Sequence, residues 1–372
     1  MRPISVGFIG AGNVLFAYLQ ALDRLISTGV AVLGGIYARS RSRRRELLQR
    51  RPAVPLYDSA DALLASHPDL VVVITPPVSH ADLARAALTS GSHVLVEKPF
   101  AISLSEGRML VNAARRARRF LVAAPFVHLS PTFRFLQAQI LSGAIGAVHT
   151  ARGLYGNAGS HWASWYHLGS GGPLADLGIY NLKTLTAILG PVRSIFHHEA
   201  HSGRRRTVKG RRLTGVIPDV AHTLVTHSQG ATSVLVSSHA IVNYERPALE
   251  FYGTAGTINL RGDDWDPRGV DVWRERSGCW ESYPAIEPTW HWTDGLTDLV
   301  AALREGRTPT ADLAHDLHLM EVLDAAHKSL HARRPVHVRS SWSGVSPHSA
   351  SRSDIRHASV VLHDHTRSRD AQ

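Results

Sequence analysis

Apolar and polar positions along the first 125 residues alternate between two kinds of segment. Short, nearly continuous apolar runs, typical of buried parallel strands, are separated by segments with the 3.6-residue period of helices. The apolar runs cover residues 4–9, 30–37, 70–74, 93–96 and 120–123. This alternation predicts an α/β fold whose N-terminal domain, residues 1–125, is a doubly wound parallel sheet of the Rossmann type.

After Pro125 the pattern changes to long β segments with fewer helices. Strands are predicted at residues 192–200, 220–227, 232–239, 248–253, 257–261 and 270–275. Helices are predicted at residues 131–142, 179–189, 292–304 and 312–331. These segments predict a second α/β domain over residues 126–339, built on a mainly antiparallel sheet.

The segment 340–372 is rich in Ser, Arg and His and has only a short apolar patch at residues 360–362. Such a composition buries too little apolar surface to offset the entropy of ordering. We therefore expect a disordered or loosely attached tail.

Composition narrows the function classes. Cys279 is the only cysteine, so no intrachain disulfide can form, and a reducing cytoplasm is the expected compartment. No apolar run approaches the roughly 20 residues of a membrane span, so no membrane partner is expected.

The net charge of +11 comes largely from arginine runs at 39–51, 115–119 and 204–212. Because these runs lack interleaved aromatics and a DNA-binding motif, we expect a solvated basic surface rather than nucleic-acid binding.

A glycine turn joins the first predicted strand to the first helix. Gly10 permits a tight turn, Gly12 lets the backbone approach a pyrophosphate, and Asn13 and Val14 lead into the helix, whose N-terminus attracts anions. The third glycine of the usual dinucleotide pattern is replaced by Leu15.

The end of the second predicted strand carries no acidic residue to bind the ribose hydroxyls of NAD. Arg39 and Ser40 stand there instead, a pair suited to a 2′-phosphate, and they predict NADP as cofactor with NAD as a possibility. The alternative is an arginine-rich start of a surface helix.

The stretch 171–180 carries an acid and a phenol four residues apart, Asp176 and Tyr180. On a helix both side chains lie on one face, where a phenol can move a proton and a carboxylate can hold a substrate hydroxyl. The alternative is an ordinary capped helix with a packing tyrosine. Upstream, Asn157, Trp162 and His167 belong to an aromatic-rich loop that either lines a substrate pocket or is merely structural.

Metal sites are not expected despite the 23 histidines. The two clusters with suggestive spacing, His197/His198/His201 and His315/His318, lack the partners that a closed metal site needs.

Three motifs together resemble the Gfo/Idh/MocA oxidoreductase family over residues 4–338. They are Thr75-Pro76-Pro77 followed by His80, then Glu97-Lys98-Pro99, and the stretch 171–181 with Asp176 and Tyr180. The resemblance implies an open antiparallel sheet in the second domain and a cis peptide before Pro99. It also implies NAD(P)-dependent hydride transfer on sugars, polyols or related alcohols and ketones.

The resemblance also implies residue roles. Thr75, Pro76, His80 and Lys98 would contact the cofactor, and Glu97 would either bind the cofactor ribose or hold Lys98. Lys98, Asp176 and Tyr180 would form the catalytic set, with Lys98 lowering the pKa of the phenol from its ordinary value of about 10. The family often has His where this chain has Tyr180, and some members have Tyr.

The leading hypothesis is an oxidoreductase that transfers a hydride between NADP(H) and a sugar-like or cyclic alcohol or ketone. Two alternatives stay open: a nicotinamide-dependent glycosidase, and a non-catalytic nucleotide-binding sensor. The resemblance further implies a small carbohydrate-like substrate and a homodimer or homotetramer assembled through the open sheet.

Overall fold

Six strands near the N-terminus form one parallel sheet, as their apolar runs predict. The computed structural model describes residues 2–161, 163–169, 171–342 and 361–363 of the 372. The elements are β1 (Ile4–Ile9), α1 (Leu15–Ser27), β2 (Ala31–Tyr37), α2 (Arg41–Arg50), β3 (Leu56–Tyr57), α3 (Ala60–Ala65), β4 (Leu70–Val73), α4 (His80–Thr89), β5 (His93–Val96), α5 (Leu104–Ala117) and β6 (Leu121–Ala123). The strand order β3-β2-β1-β4-β5-β6 confirms the doubly wound Rossmann fold.

The helices pack on this sheet through apolar stripes. In α1 the buried positions Leu15, Tyr18, Leu19 and Leu22 recur at helical spacing and face the core beside Phe8 of β1. β4 is buried at all four positions, as a strand covered on both faces should be.

The second set of elements builds a much larger sheet. Its elements are α6 (Pro131–Leu141), β7 (Val148–Gly156), α7 (Trp165–Leu168), α8 (Ile179–Leu189), β8 (Val192–Ala200), β9 (Thr207–Val208), β10 (Arg211–Arg212), β11 (Val220–His227), β12 (Thr232–Ser238), β13 (Leu249–Gly253), β14 (Gly256–Asp263), β15 (Asp266–Arg274), β16 (Trp280–Pro284), α9 (Gly295–Glu305), α10 (Leu313–Ala332), β17 (Val336–His337) and β18 (Val361–His363). The strand order is β17-β8-β11-β12-β7-β13-β14-β15-β16-β18, and β9 and β10 form a separate hairpin.

This sheet is mainly antiparallel, which confirms the predicted fold class; β12 and β7 pair in parallel. Its strands alternate buried and exposed positions, and the buried side of β7 receives α8. The opposite side exposes a cross-strand row of apolar side chains. Phe196, Leu224 and Val234 are paired neighbours and are 37%, 45% and 44% exposed.

The chain divides into two compact units, Met1–Leu129 with Trp292–Met320, and Ser130–His291 with Glu321–Gln372. The first unit therefore includes residues that the sequence analysis assigned to the second domain, because α9 contributes Leu296, Leu299 and Val300 to the core around β1 and α1.

The expected tail overlaps described structure at two places. Trp342 is buried against Phe133 and Ala187, so the packed body extends past residue 340. β18, which overlaps the apolar patch of the tail, pairs with β16. Residues 343–360 and 364–372 lie outside the described part of the chain.

Candidate active site

The carboxyl ends of four parallel strands meet at one edge of the first sheet. Ile9 pairs with Tyr37 on one side and with Val73 on the other, and Val73 pairs with Val96. The strand order reverses between β1 and β4, and ligands of doubly wound sheets bind at such a point. The predicted cofactor residues follow these strand ends directly and are Gly10, Gly12, Asn13, Val14, Arg39, Ser40, Thr75, Pro76, His80, Glu97 and Lys98.

Two glycines give the β1–α1 turn its shape. Gly10 has a φ of +116°, and a Cβ there would lie 2.8 Å from the carbonyl carbon and oxygen of Ile74. A Cβ on Gly12 would meet only the oxygen of Ile74, at 3.8 Å. Gly10 is therefore required by the protein's own packing, whereas the open side of Gly12 leaves room for a bound group.

The start of α1 suits an anion. No side chain caps the helix at Val14, and its first turn holds no acidic residue. The Leu15 N–H donates to the Gly12 carbonyl at 3.2 Å, and the positive end of the helix dipole at this turn favours a pyrophosphate.

The predicted 2′-phosphate residues lie where β2 ends. Arg39 is exposed and has no hydrogen-bond or ion-pair partner among the described residues. Ser40 caps α2 by accepting a hydrogen bond from the Arg43 backbone at 3.4 Å. The Arg43 guanidinium donates to Oδ1 of Asn13 at 2.7 Å, and so joins this segment to the glycine turn. The sequence showed Arg43 only as one of several arginines.

Glu97 fixes the segment that carries Lys98. One carboxylate oxygen of Glu97 accepts from the Tyr18 hydroxyl at 2.8 Å, and the other accepts from the Lys98 backbone N–H at 3.0 Å. Lys98 is half-buried, and the Lys98–Pro99 peptide is cis, as the resemblance implies.

His80 ties two of the strand-end loops together. It is 1% exposed; its Nδ1 lies 2.8 Å from the Pro99 carbonyl oxygen and its Nε2 lies 2.7 Å from that of Thr75. Burial lowers the pKa of His80, although both carbonyls act in the opposite direction. Pro76 opens the same loop, where its carbonyl accepts from the Ser79 N–H at 3.0 Å.

The second unit contains the acid and the phenol. Asp176 lies in a π-helical turn, Leu174–Gly178, that leads directly into α8. A Cβ on Gly178 would lie 2.5 Å from the Ser237 hydroxyl, so only glycine lets this turn lie so close to β12. Because Asp176 lies within this π-helical turn, it is not the cap of α8. A π-helical turn is rare, and such turns recur at functional sites.

Asp176 and Tyr180 are surrounded by polar partners. Nε2 of His239 lies 3.2 Å from Oδ2 of Asp176. The ring of Tyr180 meets that of Tyr155 edge to face, with centroids 5.7 Å apart. Burial raises the pKa of Tyr155, and the negative charges of nearby groups add to the effect, so this phenol stays protonated. His239 joins this site in the fold but carries no role in the sequence analysis.

Two of the three predicted substrate residues bind to their own loop. The Asn157 amide donates to the Tyr166 hydroxyl at 3.3 Å and accepts from the Gly159 N–H at 2.9 Å. His167 is 2% exposed, its Nε2 lies 2.7 Å from the Ser160 carbonyl, and burial lowers its pKa. Trp162 lies outside the described residues.

Asp264 is a buried acid that no sequence pattern singled out. It is 2% exposed, between β14 and β15. Its Oδ2 accepts from the Asn181 amide at 3.1 Å and from the Thr184 hydroxyl at 3.3 Å. Burial raises the pKa of Asp264 to about 7. It thus supports α8 one residue beyond Tyr180.

Within the described segments, no three His, Cys, Asp or Glu side chains are grouped to hold a metal ion. None of the helices in that part of the chain has both the length and the apolar character to cross a bilayer.

Comparisons with known proteins show the family of both parts of the chain. The model described as the oxidoreductase family with an NAD-binding Rossmann fold matches residues 4–124, and that of the GFO/IDH/MocA C-terminal domain matches residues 133–259. A trans-1,2-dihydrobenzene-1,2-diol dehydrogenase of Macaca fascicularis is 31% identical over 277 residues, which cover 72% of this chain and 76% of that protein.

Two more relatives extend the comparison. A D-apiose dehydrogenase of Rhizobium rhizogenes is 28% identical over 306 residues, covering 76% of this chain and 83% of that protein. The crystal structure of aldose-aldose oxidoreductase from Caulobacter crescentus, complexed with glycerol, matches with a TM-score of 0.76 and 20% identity, covering 90% of this chain and all of that one.

Proposed function

Because the chain belongs to the Gfo/Idh/MocA family of NAD-binding oxidoreductases, we propose that it transfers a hydride between NADP(H) and a sugar-like or cyclic alcohol or ketone. The observation that carries the proposal is the pairing of a carboxylate and a phenol one helical turn apart, Asp176 and Tyr180. A chain with an NAD-binding domain and such a pair has the two elements that oxidation of a hydroxyl requires.

The cofactor residues would act through the turn and the helix N-terminus. Gly10, Gly12, Asn13 and Val14 would hold the pyrophosphate, while Thr75, Pro76 and Glu97 would border the rest of the nucleotide. His80, whose ring nitrogens face backbone carbonyls, would act by fixing this loop. The bound nicotinamide would supply the hydride acceptor or donor.

The preference for NADP rests on charge. Arg39 is an exposed cation without a partner in the described structure, and Arg43 and Ser40 stand beside it. Arginine binds phosphate in a fork geometry, and no acidic residue competes for the ribose at this position.

The proposed chemistry gives each side chain one task. Tyr180 would transfer the proton of the substrate oxygen, Lys98 would stabilise the negative charge that develops there, and Asp176 would accept a hydrogen bond from a second substrate hydroxyl. Asn157, Trp162 and His167 would shape the substrate loop.

A carbohydrate-like substrate is supported by the relative named for D-apiose, and a cyclic alcohol by the relative named for a dihydrobenzenediol. The exposed apolar row Phe196, Leu224 and Val234 supports a homodimer or homotetramer formed through the open sheet. We place the protein in the cytoplasm, and the proposal includes no metal, nucleic-acid or membrane partner.

The test is a substrate screen of the purified full chain with NADP⁺ and with NAD⁺, followed by the absorbance of reduced nicotinamide. Turnover of a polyol, sugar or cyclic alcohol, faster with NADP⁺, is the expected result. Cleavage of a glycoside without net nicotinamide reduction would instead favour the glycosidase, and tight nucleotide binding without any turnover would favour the sensor.

Gly12→Ala provides a control for the cofactor site. Because a Cβ at Gly12 meets no protein atom closer than 3.8 Å, the variant should keep its melting temperature and lose nucleotide affinity. Gly10→Ala, which clashes with Ile74, should lose stability as well.

A further inference from the structure

His239 directly follows β12 and is 1% exposed. Its Nε2 lies 3.2 Å from Oδ2 of Asp176. An ionised carboxylate can only accept, so beside an ionised Asp176 the Nε2 atom of His239 carries a proton and donates it in this contact. The imidazole is thus a donor aimed at the carboxylate proposed to bind a substrate hydroxyl.

The backbone of His239 is held on both sides. Its N–H donates to the Asp219 carbonyl at 2.8 Å, and its own carbonyl accepts from Nη2 of Arg206 at 2.8 Å. Arg206 and Asp219 form an ion pair of 2.5 Å whose side chains are only 5% and 6% exposed.

Asp219 remains ionised in this setting. Burial alone would raise the pKa of Asp219, but hydrogen bonds from Ser202 and Arg206 outweigh it and lower the pKa. Arg206 also donates to the Ala158 carbonyl at 2.8 Å. The buried pair therefore holds the His239 backbone and the substrate loop together.

The imidazole plane is fixed by packing. The ring of Tyr166 lies against His239, with centroids 4.4 Å apart and planes at 38°. Tyr166 also receives the Asn157 amide, so the same ring links the loop to the histidine.

We infer that His239 is a positioning residue, which orients the Asp176 carboxylate through its Nε2–H and is itself held by the Arg206–Asp219 ion pair. This inference rests on the proposed role of Asp176. His239 is too buried to be assigned contact with substrate, so its effect passes through the carboxylate.

The kinetic test compares His239→Phe with His239→Gln. Phenylalanine keeps a ring but removes the donor, whereas glutamine restores an N–H donor. We expect His239→Phe to raise KM about tenfold or more, with a smaller fall in kcat and an unchanged Kd for NADP, and His239→Gln to recover most of the loss. Equal damage by both variants would overturn the inference.

His227→Phe is the matched control. His227 is 0% exposed and binds the Ser233 hydroxyl at 2.8 Å, but it has no contact with Asp176. A similar change in KM in this variant would show that loss of any buried histidine in the sheet is enough to raise KM. That result would refute the positioning role.

A double-mutant cycle separates this inference from the proposed function. When Asp176→Asn is already present, adding His239→Phe should lower kcat/KM less than twofold, because the carboxylate that His239 orients is already altered. Full additivity would refute the positioning role. Normal kinetics in Asp176→Asn alone would refute the proposed role of Asp176, and with it this inference.

Nitrogen-15 NMR of labelled histidines gives a readout that does not depend on turnover. His239 should be in the Nε2–H tautomer, and Asp176→Asn should shift its signal while leaving that of His227 in place. An Nδ1–H tautomer at His239 would overturn the inference.

Discussion

Asp264 gives the sharpest prediction on stability. Its carboxyl group is 2% exposed, and only one of its two oxygens has a hydrogen-bond partner among the described residues. Burial raises the pKa of Asp264 from 3.8 to about 7. The folded protein thus binds a proton that the unfolded chain releases at much lower pH.

The sign follows from proton linkage. Between about pH 4 and pH 7 the folded state holds more protons than the unfolded state, so stability falls as the pH rises through this window. Above pH 7 the full cost of an ionised, buried carboxylate is present. The pKa of Asp264 differs by about three units between the folded and unfolded chains. At about 1.4 kcal/mol per unit, this difference lowers the free energy of unfolding by about 4 kcal/mol above pH 7.

Asp264→Asn removes this cost because an amide does not ionise. The variant should be close to the parent in stability at pH 5 and more stable at pH 8.5, by up to about 4 kcal/mol. For a chain of this size, that is roughly 5 °C in melting temperature.

The assay is thermal unfolding, followed by circular dichroism, in steps from pH 5 to pH 8.5. Asp266→Asn is the control, since Asp266 lies in the same hairpin but is exposed. The difference between Asp264→Asn and the parent should grow with pH. A variant that is equally destabilised at pH 5 and pH 8.5 would show that the carboxylate is ionised and needed, and would refute the reasoning.

Four further predictions follow from the site and the surface. Arg39→Asp should weaken NADP binding about tenfold or more by removing a phosphate contact, whereas Arg45→Asp should change it little; nucleotide titration measures both, and equal effects would count against the assignment. Tyr180→Phe should lower kcat about 10²-fold while nucleotide affinity persists, and near-normal turnover in steady-state assays would reassign the proton donor. Leu224→Arg should reduce the mass found by light scattering to that of a monomer. A mass that stays at that of the parent oligomer would show that the open sheet is not the interface. Trp342→Ala should cost about 3 kcal/mol or more in urea unfolding because the buried indole leaves a cavity, whereas removal of residues 343–372 should change the stability far less.

The sequence determined the strands and helices of the N-terminal 125 residues well, because their signals are local. Continuous apolar runs, helical stripes and a glycine turn each occupy fewer than about 15 neighbouring residues. The tight turn at Gly10 was therefore predictable, whereas the cis peptide before Pro99 was expected only from the family resemblance.

The sequence did not determine which short polar strands join the large sheet. β17 is only two residues long, with no alternating pattern, and it becomes a strand because β8, far back along the chain, offers hydrogen-bond partners. The place of residues 292–320 in the first unit also depends on distant residues, because α9 packs Leu296, Leu299 and Val300 into the core around β1 and α1.

Tertiary structure alone decided the polar surroundings of the site. His239 reaches Asp176 across 63 residues, and Asp264 reaches Asn181 across 83. Neither contact leaves a pattern in the local sequence. A histidine or aspartate in a turn is common, and only the folded structure decides whether it is buried away from water. The sequence thus determined which side chains can do chemistry, whereas the fold decided which charges and donors surround them, since desolvation and hydrogen bonding depend on residues distant in the chain.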